Sequence, residues 1–430
     1  MSARLIASIS FCMLLSSVPV PGACAPSERG ILHAFRIQAN DLARRKYLVE
    51  LIPQLSATEQ GFARQLLAMV DDELGLYNEA ITDFPFDART PLRHPLPWVD
   101  QSAQNSAYAI VSYVHDAGNV NAAGAVDAIA ADAAKHRIVL INEAHNDAQT
   151  RALILAMLPR LRALGYDYFA AEALTESGSA LMKRGYPIAD SGSEYVHESI
   201  YADILREAVR LGYTIVAYDP IDSTEDRDAA QAENLNREIF AKHPDARLFA
   251  LVGYAHVDKA KGNLGALRPM AMQLHELTGL DPLTVDQTQF RDVEPSAHVA
   301  PYDQVIDLFH PRDPIVLQLR GSRIWSSDPL RYDISVILPE MPGKERPGWL
   351  SLDGLRRAWL VSAALCHGTI PCVVEARYGN ESDDAIPADR YTFLNPHGSS
   401  ALYLRPGTYR LHAWGIDGKS LAEATIHVAE

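Results

Sequence analysis

Five residues able to do acid–base or ligating chemistry occupy equivalent places along the chain: Glu143, His145, Glu172, Asp219 and His256. Each follows a short run rich in β-branched, aromatic or aliphatic residues. Residues 137–142 lead into Glu143-Ala144-His145, residues 166–171 into Glu172, residues 213–218 into Asp219, and residues 247–252 into Gly253-Tyr254-Ala255-His256. Glu143 and His145 are two apart, so a continued extended backbone projects both to one side. Two imidazoles with two or three carboxylates can hold a divalent metal and lower the pKa of its water, or one of them can deprotonate water directly. Glu143, His145, Glu172 and His256 are the candidate catalytic set, and His145, Glu172 and His256 the candidate metal ligands. Each has a plain structural alternative: a satisfied core or loop histidine for His145 and His256, a structural partner of a histidine for Glu172, and a helix N-cap before Pro220 for Asp219.

These residues need a scaffold that gathers strand ends at one rim. Between the runs lie amphipathic stretches, the clearest at 150–164. There Leu153, Leu155, Met157, Leu158, Leu161 and Leu164 are apolar, with Arg151, Arg160 and Arg162 outside. A further strand is expected at 283–286, and runs at 314–320 and 333–338 extend or edge the sheet. Strand and helix in repetition imply an α/β fold, a parallel sheet flanked by helices, whose ligands collect at the carboxyl ends of the strands. Before it, Ile31, Phe35, Leu42, Leu48 and Leu51 recur at helical spacing, and Ser56-Ala57-Thr58-Glu59 opens a second helix through Leu74. After it, short runs between turns such as Arg405-Pro406-Gly407 and Asp417-Gly418 suggest a small C-terminal β-sandwich. The expected divisions are a signal peptide at 1–25, an N-terminal helical cap at 26–100, the α/β domain at 101–345, and a linker helix plus β-sandwich at 346–430. Pro339 to Pro347 reads as an exposed linker.

No Gly-x-Gly-x-x-Gly follows the first strand, and there is no Walker loop or Gly-x-Ser-x-Gly elbow, which lowers nucleotide and serine-hydrolase readings. Glu143-Ala144-His145, Gln149-Thr150-Arg151, the Gly165-Tyr166-Asp167-Tyr168 turn leading to Glu172, and Gly253-Tyr254-Ala255-His256 resemble the erythromycin esterase/ChaN-like superfamily, which includes TIKI/TraB-type proteases and haem-uptake proteins. The resemblance covers about residues 136–289. It implies an α/β core and a site built from Glu143, His145, Glu172 and His256. It departs at Asn142, where the family has glycine, so Asn142 is expected to narrow the pocket or bond the ligand. Arg151 and Asp219 are further candidate substrate contacts, with a solvated arginine as the plain reading of Arg151. Tyr254 is either strand-end packing or a haem ligand. Two functions follow: a hydrolase of an ester or peptide bond, acting with or without a divalent metal, and a haem- or metal-binding uptake factor.

Composition narrows the partners. Lys plus Arg number 39 against 54 Asp plus Glu, a net charge of −15, which argues against a general nucleic-acid or anionic-membrane binder and says nothing else about the ligand; the partner expected from the site itself is a small-molecule or peptide substrate. Arg4, the apolar run from Leu5 to Leu15, and Ala23-Cys24-Ala25 read as an export signal, placing the protein in the periplasm or outside the cell; Cys24 as a lipid anchor is the alternative. No later run is long enough for a transmembrane helix. Cys366 and Cys372, six apart around Gly368 and Pro371, are expected to form a disulfide.

Overall fold

The computed structural model describes residues 27–84, 120–220, 226–293, 300–319, 323–341 and 346–430. The signal segment with Cys24 lies outside the described residues. The N-terminal region is helical: α1 (Glu28–Arg36), α2 (Asp41–Leu51), α3 (Ala57–Glu73) and α4 (Tyr77–Asp83). The periodic stretch from Ile31 to Leu51 divides into two helices because Asn40 starts a new one, its side chain accepting from the Ala43 N–H at 3.0 Å. The Ser56–Glu59 capping box opens α3 as the sequence suggests. At the α3–α4 turn Gly75 has φ 71°, and a Cβ there would lie 2.1 Å from the Arg390 carbonyl oxygen. Only glycine permits both the conformation and that approach.

The α/β region comprises β1 (Val120–Gly124), α5 (Ala125–Ala133), β2 (Ile138–Glu143), α6 (Ala148–Ala163), β3 (Tyr168–Ala171), α7 (Gly178–Arg184), α8 (Ser199–Arg210), β4 (Thr214–Ala217), α9 (Arg227–Leu235), β5 (Leu248–Gly253), α10 (Met270–Thr278), β6 (Leu283–Phe290), α11 (Ala300–Phe309), β7 (Ile315–Leu319) and β8 (Ile334–Ile337). The strands form an eight-stranded sheet in the order β1-β7-β8-β6-β2-β5-β3-β4, parallel from β8 to β4, with β7 and β1 antiparallel at one edge. Both faces of the central strands are buried. Val139, Ile141, Phe169, Phe249 and Leu251 pack with α6 and α8, while Leu140, Ala170, Leu248, Ala250 and Val252 pack with α9 and α10. The connections after β2 and β3 therefore cover one face, and those after β4 and β5 the other. The strand order reverses between β2 and β5, and in a parallel sheet ligands collect at the carboxyl ends beside such a switch point.

The C-terminal region holds β9 (Arg357–Ser362), β10 (Cys372–Tyr378), β11 (Asp389–Phe393), β12 (Ser399–Leu404), β13 (Gly407–Gly415) and β14 (Ser420–Val428). They make a four-stranded antiparallel sheet, β11-β10-β13-β14, and a two-stranded one, β12-β9, which share one apolar cluster including Val374, Leu411, Val361 and Leu402. In place of a linker helix the structure has a single 3-10 turn, Gly348–Ser351, followed by β9. The described ends of the 339–347 segment are anchored rather than exposed: the Gln149 amide donates to the Pro339 carbonyl at 3.2 Å, and Pro339, Met341 and Pro347 are buried. The N-terminal helices pack on the other face of the C-terminal sheet, against Val373, Trp414 and Ile416. Among the described residues no helix is long and apolar enough to cross a membrane.

Cys366 and Cys372 are bonded, and both are fully buried in the C-terminal cluster. Reduction is expected to lower the unfolding free energy by about 2 kcal/mol, the value for so short a loop. Denaturant unfolding with and without reductant reads this directly, and an unchanged midpoint, or recovery of unlinked 366 and 372 peptides from oxidised protein, counts against it.

Candidate functional site

The carboxyl ends of β2, β3 and β5 bring four of the expected residues together. Glu143 ends β2 beside Gly253 at the end of β5, and Glu172 follows β3 with its N–H bonded to Leu251 of β5. Alternation along the strands turns Glu143 towards the face covered by α6 and α8, as Val139 and Ile141 are turned. Glu172 turns to the opposite face, as Ala170 is turned. Each carboxylate meets a histidine and an arginine on its own side of the sheet.

On the first side, Glu143 accepts a short hydrogen bond from His145 Nδ1 through one oxygen. Its other oxygen accepts from Arg151 Nε at 3.1 Å. Arg151, on the first turn of α6, is fully buried and also binds Asp72 of α3 at 2.6 Å, Glu198 at 3.3 Å and the His145 carbonyl at 3.1 Å. Burial opposes the charge on Glu143, but Arg151 and His145 outweigh it and hold the carboxyl down at about 2. Burial instead pushes Asp72 well above the usual carboxylate range despite Arg151, as one guanidinium serves three carboxylates.

On the second side, Glu172 accepts a short bond from the Gly253 N–H and a bond from Arg227 Nη2 at 2.6 Å. Arg227, the first residue of α9, also binds both oxygens of Asp219, at 2.8 and 2.9 Å, and its Nη1 lies 3.5 Å from His256 Nε2. His256 Nδ1 bonds Asp228 at 2.7 Å. Burial works against the His256 imidazolium, but Asp228 and Glu172 prevail and its pKa is raised. Gly253 lies between the two groups. A Cβ on it would stand 2.6 Å from His145 Cε1 and 2.9 Å from Glu172 Oε2, so His145 and Glu172 converge on the space that glycine leaves open. The residues just after Glu172 and Gly253, Ala173 and Tyr254, have left-handed φ of 67° and 36°. Such strain at a rim persists only where the surroundings hold it, here in part through the Ala173 N–H bond to Asp219 at 2.8 Å.

The remaining candidates are held internally. Asn142 is buried, its amide donating to Asp286 at 2.7 Å and its oxygen accepting from the Gln287 N–H at 2.8 Å, which ties β2 to β6. Arg151 is neither solvated nor open to an external anion: its partners are the protein's own carboxylates. Among the described residues Asp219 caps no helix: α9 begins at Arg227 with Asp226 as its cap. Tyr254 donates to Asn146 at 3.2 Å and packs edge-on against His145, and burial pushes its phenol up. The donor set does not fit a divalent metal. Both oxygens of Glu172 are taken by N–H donors, and a cation at His256 Nε2 would sit against the Arg227 guanidinium. Among the described residues no group of three or more His, Cys, Asp or Glu is placed to hold a metal ion. Arg227 and Asp228 escaped the sequence reading because they lie on the helix after β4 rather than at a strand end; the acidic-basic start of that helix was the available signal. A cavity of about 690 Å³ lined by Lys135, Gln318, Arg323 and Trp325 lies at the opposite end of the sheet and includes none of these residues.

No family model and no curated protein matches the chain. Solved structures with some likeness include one described as bacterial protein toxins, 14% identical with a TM-score of 0.29 over 61% of this chain and 53% of the other. Another is the type III effector HopBA1, 17% identical with a TM-score of 0.27 over 40% and 88% of the two chains. A third is RRSP, a MARTX toxin effector domain from Vibrio vulnificus CMCP6, 16% identical with a TM-score of 0.27 over 60% and 56%. The chain thus spans about half the length of the first of these.

Two outcomes follow from the geometry. Arg151→Ala strands three buried carboxylates and is expected to cost about 3–5 kcal/mol in denaturant unfolding. Asp72→Asn replaces a carboxyl that burial already drives towards its neutral form and is expected to cost about 1 kcal/mol or less; equal losses for the two variants contradict this account. The His256 imidazole is expected to titrate by NMR above its ordinary ~6.5, and Asp228→Asn to lower that midpoint. Because the folded value is raised, the His256–Asp228 pair stabilises fully below the unfolded value and loses that contribution as pH rises through the folded one. A midpoint at or below the ordinary value rejects the assignment.

Proposed function

We propose that the protein is an exported hydrolase of the erythromycin esterase/ChaN-like type that cleaves an ester or peptide bond in a small-molecule or peptide substrate. The observation carrying this reading is the convergence of His145, held by Glu143 and Arg151, and of Glu172, held by Arg227 beside His256, on the space that Gly253 leaves open. With Nδ1 bonded to Glu143, the neutral His145 ring has Nε2 as its free base atom, in a side chain that is 22% exposed. His145 Nε2 takes a proton from water as the water oxygen attacks the substrate carbonyl carbon. The resulting oxyanion lies against Arg227 Nη1 and the His256 Nε2–H, two donors that need no reorganisation. As the intermediate collapses, the scissile bond breaks and the leaving oxygen or nitrogen takes the His256 proton. Solvent then removes the proton from His145 and restores that of His256. Arg151 is a positioning residue, since it acts only through Glu143.

In the same reading the N-terminal helices form a cap and the two C-terminal sheets a small β-sandwich. A bonded cysteine pair accords with an oxidising exported compartment.

His145→Ala and His256→Ala are each expected to lower kcat/KM by at least about a hundredfold on whichever ester or peptide a substrate panel identifies. The double variant should lose little more, because the groups act in one sequence. Asp219→Ala, removing a partner of Arg227 and of the Ala173 N–H but no group facing the substrate, should lose less. Thermal unfolding of the same variants is the control: two histidine variants that keep full activity, or that melt several degrees low, return these side chains to a structural role.

A further inference from the structure

Tyr195 takes part in none of the strand-end motifs, yet its ring lies on the imidazole of His145. The ring centroids are 4.1 Å apart and the planes 25° apart, a stacked pair, with Tyr254 edge-on to the same imidazole at 4.9 Å. The slot around His145 therefore consists of Tyr195 on one face, Tyr254 at the edge, the Cα of Gly253 and the Glu143 carboxylate at Nδ1. Among the described residues the Tyr195 hydroxyl bonds to no protein group. Tyr195 stands on the 3-10 turn Glu194–His197, and that turn is held from the N-terminal helices: Arg36 of α1 pairs with Glu194 at 2.9 Å. The ring packs against both the α/β core and the apolar cluster of the N-terminal helices, so it occupies the seam between them.

We propose that Tyr195 is a positioning residue for His145 and a specificity contact for the substrate: its ring fixes the imidazole plane, and its hydroxyl donates to an uncharged oxygen of the bound ester or peptide. A stacked ring removes rotational freedom from His145 about χ2, which the single bond at Nδ1 leaves in part, and shields one face of the imidazole from water. Burial, with the Glu143 and Glu172 charges, pushes the Tyr195 phenol up, so the hydroxyl keeps its proton and serves only neutral or anionic acceptors as a donor. The N-terminal helices thereby become part of the site: α1, through Arg36 and Glu194, sets the turn that carries Tyr195. The role of the hydroxyl rests on the hydrolase reading; the role of the ring does not.

The test uses the full chain with Tyr195→Phe and Tyr195→Leu. A proton of an imidazole stacked on an aromatic face resonates upfield, so the His145 Hε1 signal, assigned with His145→Gln, is expected upfield in the wild type and in Tyr195→Phe and downfield of both in Tyr195→Leu. A His145 signal unmoved by Tyr195→Leu overturns the positioning role. For the hydroxyl, p-nitrophenyl acetate hydrolysis above the His145→Ala background is the probe. Tyr195→Phe is expected to lower kcat/KM about tenfold, the loss of one neutral hydrogen bond, and Tyr195→Leu to lower kcat further. Tyr195→Phe at full kcat/KM overturns the donor role. A wild type with no turnover above background removes the hydrolase reading and the donor role together, while the His145 signal still decides the stack.

Discussion

The Arg151 guanidinium is the interaction on which the rest of the structure depends. It lies without solvent contact among Glu143 at the end of β2, Asp72 in α3 and Glu198 at the start of α8, and it also reaches the His145 carbonyl. Glu198 is itself well satisfied, capping α8 through the N–H groups of Ile200 and Tyr201 at 2.8 Å each. One cation thus orients the acid that orients His145 and joins the N-terminal helices to the sheet. Removing a buried cation of this kind leaves uncompensated charge, which costs far more than an exposed pair contributes.

The two sides of the site share a plan. Each strand-end carboxylate has one histidine and one arginine near it, and the arginine comes from the helix layer on that carboxylate's own face of the sheet. The two sides differ in how the histidine is held. Glu143 bonds its histidine directly and shares the buried guanidinium beside it with Asp72 and Glu198. Glu172 bonds the backbone of β5 and Arg227 instead, leaving His256 to Asp228. A histidine oriented by a carboxylate with its outer nitrogen free suits proton abstraction, whereas one whose imidazolium is favoured suits donation.

Arginine–carboxylate pairs also bind the three parts of the chain to one another. Arg356 reaches Asp203 of α8 at 3.0 Å, Arg206 reaches Glu381 at 2.6 Å, and Arg390 of β11 reaches Asp41 of α2 at 2.8 Å. The consecutive acids of α3 point to three neighbours: Asp71 bonds Arg45 of α2 at 2.5 Å, Asp72 bonds Arg151, and Glu73 lies in the field of Arg390 and Arg44. Burial raises all three carboxyls. Apolar packing alone is non-directional; these pairs give the helices a defined seating on both the α/β sheet and the C-terminal sheet.

What the sequence by itself determined is the local order of the chain and the residues at the strand ends. Apolar runs at 137–142, 166–171, 213–218 and 247–252 correspond to β2, β3, β4 and β5, because strands buried on both faces read as near-continuous apolar stretches. Glu143, His145, Glu172 and His256 were legible for the same reason: each stands where such a run stops. The Cys366–Cys372 bond was legible because six residues of chain bring it within reach. Strands β9 and β11 were not, since β11 begins with Asp389 and Arg390, buried charges that only distant partners make tolerable. The tertiary structure alone decided that Arg151 is buried rather than solvated, that Arg227 joins Glu172 to Asp219, and that Tyr195 stacks on His145. Periodicity records which side of an element is apolar; it does not record which partner, 79 residues away in the case of Asp72 and Arg151, compensates a charge once water is gone.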